Sequence, residues 1–201
     1  MLRADDVSRY FLVIQDTETG ETISNLKIQR LCYYAQGFAL ATLGKPLFLD
    51  DIEHWKHGPV VQSVWRNYRS YGSGPIPPPR DPLNLNLYDP ETRSLLDKIY
   101  ELYGRFSAWE LRNKTHSEPP WINTPDGCPI THQALRAYFK SVVDPIQLSN
   151  KSSQEPSEQM DLAAKMESDL AFRELTERGL DAIAAGQYSK LQDMKRRLND
   201  V

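Results

Sequence analysis

Cysteine is scarce in this 201-residue chain: Cys32 and Cys128 are the only two, and neither stands in a CxxC pair. That excludes a disulfide-stapled scaffold and a cysteine-built zinc site, and it is the usage expected in a reducing cytosol. Charge of one sign is lacking too. Lys and Arg number 24 against 27 Asp and Glu, for a net charge of −3 and an isoelectric point near 5.8. No overall positive field draws the chain to nucleic acid or to an anionic membrane, which argues against DNA binding by this chain alone. Long hydrophobic runs are also missing: Phe11-Leu12-Val13-Ile14 falls far short of the roughly 18 apolar residues of a bilayer span. The N-terminus, Met1-Leu2-Arg3-Ala4-Asp5-Asp6, carries acidic residues where a secretion signal is basic. A cytoplasmic protein without membrane attachment is expected.

What is present suffices for a core, since 40% of the residues are hydrophobic and they include 6 Phe, 10 Tyr and 4 Trp. Apolar positions recur at helical spacing through most of the first 145 residues. Asp5 or Asp6 caps a short first helix bearing Tyr10, Phe11 and Ile14. A stronger helix follows Ser24-Asn25, with Ile28, Leu31, Cys32, Ala35, Phe38 and Ala39 as one stripe and Gly44 and Pro46 as its stop. Gly58-Pro59 is expected to begin another, because proline fits the first helical turn and Val61, Val64, Trp65 and Tyr68 then align. The proline-rich stretch from Gly74 to Pro90 is expected to be an extended surface loop. Asp89-Pro90 restarts a helix carrying Leu95, Leu96, Ile99 and Tyr103, and Gly104 closes it. Ser107 and Glu110 form a capping box, and a last core helix with Leu135, Tyr138, Phe139 and Val142 stops before Pro145.

The fold class is therefore mainly α: a compact helical domain with at most a small strand element near residues 48–55, followed by a helical C-terminal tail. The boundaries are a domain over 1–146, a linker rich in Ser, Asn and Gln over 147–158, and the tail over 159–201. In the tail Phe172, Leu175, Leu180 and Ile183 rotate around the helix axis, and Leu191, Met194 and Leu198 line a short terminal helix. So small a segment builds no core of its own.

Chemistry is thinly marked. His54-Trp55-Lys56-His57-Gly58-Pro59 sets two histidines, a tryptophan and a lysine before an expected helix N-terminus, a place that can hold an anion. The structural reading of the same stretch packs Trp55 into the core and uses Gly58-Pro59 to turn the chain. A zinc hydrolase built on His54, His57 and His116 would lack the HExxH arrangement. Thr115 and Glu118 match capping-box spacing, but prolines follow where an apolar run belongs. Ser117 beside His116 lacks the GxSxG elbow of a nucleophile. No phosphate loop, dinucleotide fingerprint or metal-spaced carboxylate set occurs, so no catalytic residue, metal or cofactor is assigned.

A family resemblance adds to this. Asn25-Leu26-Lys27-Ile28-Gln29-Arg30-Leu31, then Tyr33-Tyr34-Ala35-Gln36-Gly37, Pro46-Leu47-Phe48, Ile52 to Val60, Tyr68, Tyr71-Gly72, Thr115-His116-Ser117-Glu118 and Pro120-Trp121 come in an order that closely resembles the Panacea antitoxin domain, also called SocA-like or GepA-like. The resemblance covers roughly Val7 to Val143, and the proline-rich loop is longer than the family pattern. It implies an antitoxin of a type II toxin–antitoxin system, bacterial or phage, that binds and neutralises a cognate protein toxin by direct contact. It also implies Trp55, Lys56, His57, Gly58, Pro59, Thr115, His116 and Trp121 as structural or toxin-binding positions. One relative acts as an adaptor that delivers its toxin to a protease, which is the alternative reading. The tail, Glu177 to Tyr188 with the helix ending Lys195-Arg196-Arg197-Leu198, resembles the toxin-binding segment of ParD-like and RelB-like antitoxins. That resemblance assigns Phe172, Leu175, Leu180, Ile183, Tyr188, Leu191, Met194 and Leu198 to toxin contact, with a RelE/ParE-like or alarmone-synthetase-like toxin as partner.

Overall fold

A computed structural model describes residues 1–15 and 22–151, with side chains in the last helix described through Val143. All of these but Lys151 belong to the first of the chain's two units, Met1–Asn150. The remainder of the expected linker, the tail and its eight candidate contact residues lie outside the described residues. The element order is α1 (Ala4–Ile14), α2 (Asn25–Thr42), β1 (Ile52–Trp55), β2 (Gly58–Val61) and α3 (Gln62–Tyr68), which runs into a 3₁₀ turn at Arg69–Tyr71. A second 3₁₀ turn, Leu85–Leu87, precedes α4 (Pro90–Tyr103), α5 (Ala108–His116), α6 (Pro119–Ile122) and α7 (His132–Lys151). The domain is mainly helical, and its strand element is one antiparallel hairpin.

Helix α2 is the axis of the domain. It packs against α1, α3, α4, α5 and β2, so its apolar residues and its polar ones are both buried. A helix enclosed on all sides has no solvent face, which is why the single apolar stripe read from sequence understates it. Asn25, Lys27, Gln29, Arg30 and Gln36 are all buried on this helix. A buried polar group left without a partner costs about 1–3 kcal/mol, and here several of the partners are loops. Gln36 Nε2 donates to the Phe48 carbonyl at 2.8 Å while its Oε1 accepts from Leu47 N–H at 2.9 Å. Gln29 Oε1 accepts from Val61 N–H at 2.8 Å. The polar residues of α2 thus fix the path of the chain into and out of the hairpin.

Helix α7 closes the core where α2 has no side chain. The ring of Phe139 lies on Gly37, and a Cβ built there would come within 2.1 Å of it. The same ring meets Tyr33 at 5.6 Å, Phe38 at 4.9 Å and Tyr138 at 5.0 Å between centroids. Burying such a ring is worth about 1.5–3 kcal/mol, and each aromatic pair adds about 0.5–1.5 kcal/mol.

Most helix starts follow the sequence signals. Ser24 Oγ accepts from Lys27 N–H, Asp89 caps α4 with Pro90 in its first turn, and Ser107 and Glu110 form a reciprocal capping box. In α1 the cap is Arg3, not Asp5 or Asp6; Asp6 lies one turn in and accepts the Arg3 N–H at 2.8 Å. The stretch from Gly74 is an extended loop, pinned where buried Ile76 donates its N–H to the Ile23 carbonyl at 2.8 Å. Helix α7 runs past Pro145 to Lys151, since a proline forfeits one helical hydrogen bond without obliging the helix to end. Gly58-Pro59 is the main departure from the sequence reading. It opens β2, and α3 begins only at Gln62.

Candidate functional site at the hairpin

Alternation along β1 decides what each residue of the His54–Pro59 stretch does. Ile52 pairs with Val61, Glu53 with Val60, His54 with Pro59 and Trp55 with Gly58, leaving Lys56-His57 as a two-residue turn. Successive side chains on a strand point to opposite faces. Ile52 and His54 therefore face inward, and Glu53 and Trp55 face α3.

Both backbone groups of His54 bond away from β2: its N–H donates to the Cys128 carbonyl at 2.9 Å and its carbonyl accepts from Gly127 N–H at 2.8 Å. His54 and Pro59 are thus a non-hydrogen-bonded pair, and the missing N–H of Pro59 costs the ladder nothing. This is why a proline that reads as a helix start sits in a strand.

On the inner side Arg30, fully buried on α2, donates through its two terminal nitrogens to the carbonyls of His57 and Pro59. Burial lowers its pKa to about 9, which still leaves the guanidinium charged at neutral pH. Gly58, at φ +108°, lies against that guanidinium; a Cβ there would fall 2.6 Å from an Arg30 terminal nitrogen. The position requires glycine both for its backbone and for its space.

Trp121 on α6 receives both inward histidines. His116 stacks on it at 3.9 Å and 20°, and His54 meets it edge-on at 4.2 Å and 88°. Its Nε1 donates to the Trp55 carbonyl at 3.4 Å. Burial holds the His116 pKa below the usual imidazole value, with the nearby Arg112 and Arg30 charges acting the same way. Glu118 caps the start of α6 and is buried. Its oxygens accept from the Tyr33 hydroxyl at 2.8 Å and the Tyr34 hydroxyl at 2.9 Å, tying α6 to α2. Burial raises its pKa, partly offset by those hydrogen bonds.

The outer side is open. Trp55 is half-buried; its ring lies 5.4 Å from that of Trp65 on α3, and its Nε1 donates to Glu53 Oε2 at 2.8 Å. Gln62 donates to the same carboxylate at 2.9 Å. Lys56 and His57 are exposed at the turn.

The structure brings seven of the eight family-motif positions together: Trp55, Lys56, His57, Gly58 and Pro59 on the hairpin, and His116 and Trp121 beneath it. Thr115 is buried inside α5 and bonds the Arg112 carbonyl, so it supports that helix and does not form a capping box with Glu118. Trp55 is not a core residue, because it falls on the outward register of β1. Nor does the stretch precede a helix N-terminus that could hold an anion, because a strand intervenes. Ser117 Oγ donates to the Lys114 carbonyl at 2.7 Å, and its neighbour His116 is engaged by Trp121. Among the described residues no three His, Cys, Asp or Glu side chains are grouped so as to hold a metal ion. Sequence reasoning missed the roles of Gln29, Arg30 and Glu118. Gln29 and Arg30 interrupt an apolar helix pattern, which is the signal that could have marked them as buried anchors.

Residues 28–122 match the family model described as antitoxin SocA-like, Panacea domain. The chain is 32% identical over 117 residues to antitoxin SocA of Caulobacter vibrioides (strain NA1000 / CB15N), a match that covers 49% of this chain and 58% of that relative. No solved structure matches the chain. The hairpin, the α2 residues that anchor it and the α5–α6 segment beneath it all fall within the matched range, so the part of the chain that builds the site is the part similar to SocA-like Panacea antitoxins.

Proposed function

We propose that this chain is the antitoxin of a type II toxin–antitoxin pair, a non-enzymatic cytoplasmic protein that neutralises a cognate protein toxin by direct contact. The family match over the part of the chain that builds the hairpin carries this reading. The geometry supports it: the motif residues are held by buried anchors, and they present side chains at a surface without pairing a nucleophile with a base. The tail over 159–201 supplies a second contact in this reading, through Phe172, Leu175, Leu180, Ile183, Tyr188, Leu191, Met194 and Leu198. No helix among the described residues is long and apolar enough to cross a membrane.

Coexpression with the protein encoded by the adjacent gene tests the proposal. That protein alone should arrest growth, the full chain should restore it, and the two should copurify. A harmless neighbour, or toxicity that persists beside a folded full chain, would overturn it.

A further inference from the structure

The outward face of the hairpin continues onto α3. Gln62, Trp65, Arg66 and Arg69 recur at i, i+3, i+4 and i+7, the spacing of one helix side, and Trp55 packs beside them. From His54 through Arg80 the chain has no Asp or Glu, while Lys56, Arg66, Arg69 and Arg80 are cationic. Lys56, Arg66 and Arg69 are exposed. Arg66 donates to Gln62 Oε1, and Arg69 lies over the Trp65 ring at 5.4 Å. Among the described residues the ion pairs lie elsewhere, at Arg3–Asp6, Lys45–Asp89 and Lys98–Glu101. The face therefore combines two half-buried indoles with three cations that no described carboxylate pairs.

We infer that this face docks an acidic protein surface, the two indoles packing against its apolar centre and Lys56, Arg66 and Arg69 pairing with Asp and Glu at its rim. The inference rests on the antitoxin reading, and the partner is the toxin of that pair. Tryptophan and arginine are the residues over-represented among the few that carry interface energy. Here the indole of Trp55 is already oriented by Glu53, so less ordering remains to be done on binding. Unpaired rim cations favour partners of opposite charge and speed their encounter.

The test uses the full-length chain and the purified product of the adjacent gene. Wild-type binding is measured first, and its absence overturns the antitoxin reading and this inference together. Given binding, Arg66→Glu with Arg69→Glu should weaken affinity about tenfold or more, chiefly through the association rate, with the melting temperature unchanged. Trp65→Ala should weaken it by a similar factor through the dissociation rate. Lys140→Glu, an exposed reversal on α7, is the control and should bind as wild type. Wild-type affinity in the arginine double variant would overturn the inference while leaving the antitoxin reading intact. Binding of a fluorescent single-stranded oligonucleotide by the wild type, lost in the double variant, would assign the face to nucleic acid and overturn it as well.

Discussion

The two sides of one short strand behave as different materials. Inward, His54 meets Trp121 edge-on, buried Arg30 clamps the turn, and Gly58 leaves no room for a methyl group. Outward, Glu53, Trp55 and Lys56 meet solvent and α3. A contiguous motif therefore need not be a contiguous site: the period of two along β1 assigns half of it to holding the fold and half to being seen.

The comparison can be broken most severely from the inside. Arg30→Met keeps the length of the side chain but removes both donors, leaving the buried Pro59 carbonyl unpaired and taking one partner from the His57 carbonyl. A loss of about 2–5 kcal/mol is expected in urea unfolding. Gly58→Ala adds a strained positive φ and a clash with the guanidinium, for about 2–4 kcal/mol by the same measurement. Wild-type stability in either variant would show that the turn is not anchored from α2.

A pH series sharpens the picture of the inner side. The folded pKa of His116 lies below its ordinary 6.5, so the unfolded chain takes up that proton first; this contribution to stability is complete above pH 6.5 and is lost as pH falls through the folded value. Glu118 acts in the opposite sense. Its folded pKa lies above its ordinary 4.5, so stability grows as pH falls from that raised value toward 4.5. Glu118→Gln should make the loss of stability below pH 6.5 steeper, and His116→Asn should make it shallower. Denaturation midpoints between about pH 4 and 8 check both slopes, and parallel curves for the two variants would contradict the assignment.

The smallest effect belongs outside. Trp55→Ala should cost about 1 kcal/mol or less, far below the 3–5 kcal/mol of a fully buried aromatic. Thermal melting of this variant beside Arg30→Met tests the contrast directly.

Local signals made most of the helices legible. The caps at Ser24, Asp89 and Ser107 each depend on residues within one turn, and the sequence displays them without help from the fold. A small strand near residues 48–55 was legible and is β1, but the second strand of the hairpin was not, for the opposite reason. Whether Pro59 starts a helix or joins a strand depends on where the hydrogen bonds of His54 go, and they go to residues more than 70 positions away. Trp55 was misread for the same reason, since its side of the strand is fixed only by the register. Arg30 lies off the apolar stripe of α2, and its burial is settled only when five elements close around that helix. The family motif marked out residues that the fold brings together, but it did not separate anchors from presented residues.

Both flanks of the hairpin are already taken. Gly127, Cys128 and Ile130 bond along the free side of β1, and Gln29 and Arg30 take the outward Val61 N–H and Pro59 carbonyl of β2. An incoming chain finds no unpaired main-chain ladder to extend, so neither strand donation by a partner nor edge-to-edge aggregation can begin here. Whatever reads this element must do so through side chains, and changing partner preference would take a few surface substitutions with no rebuilding of the backbone.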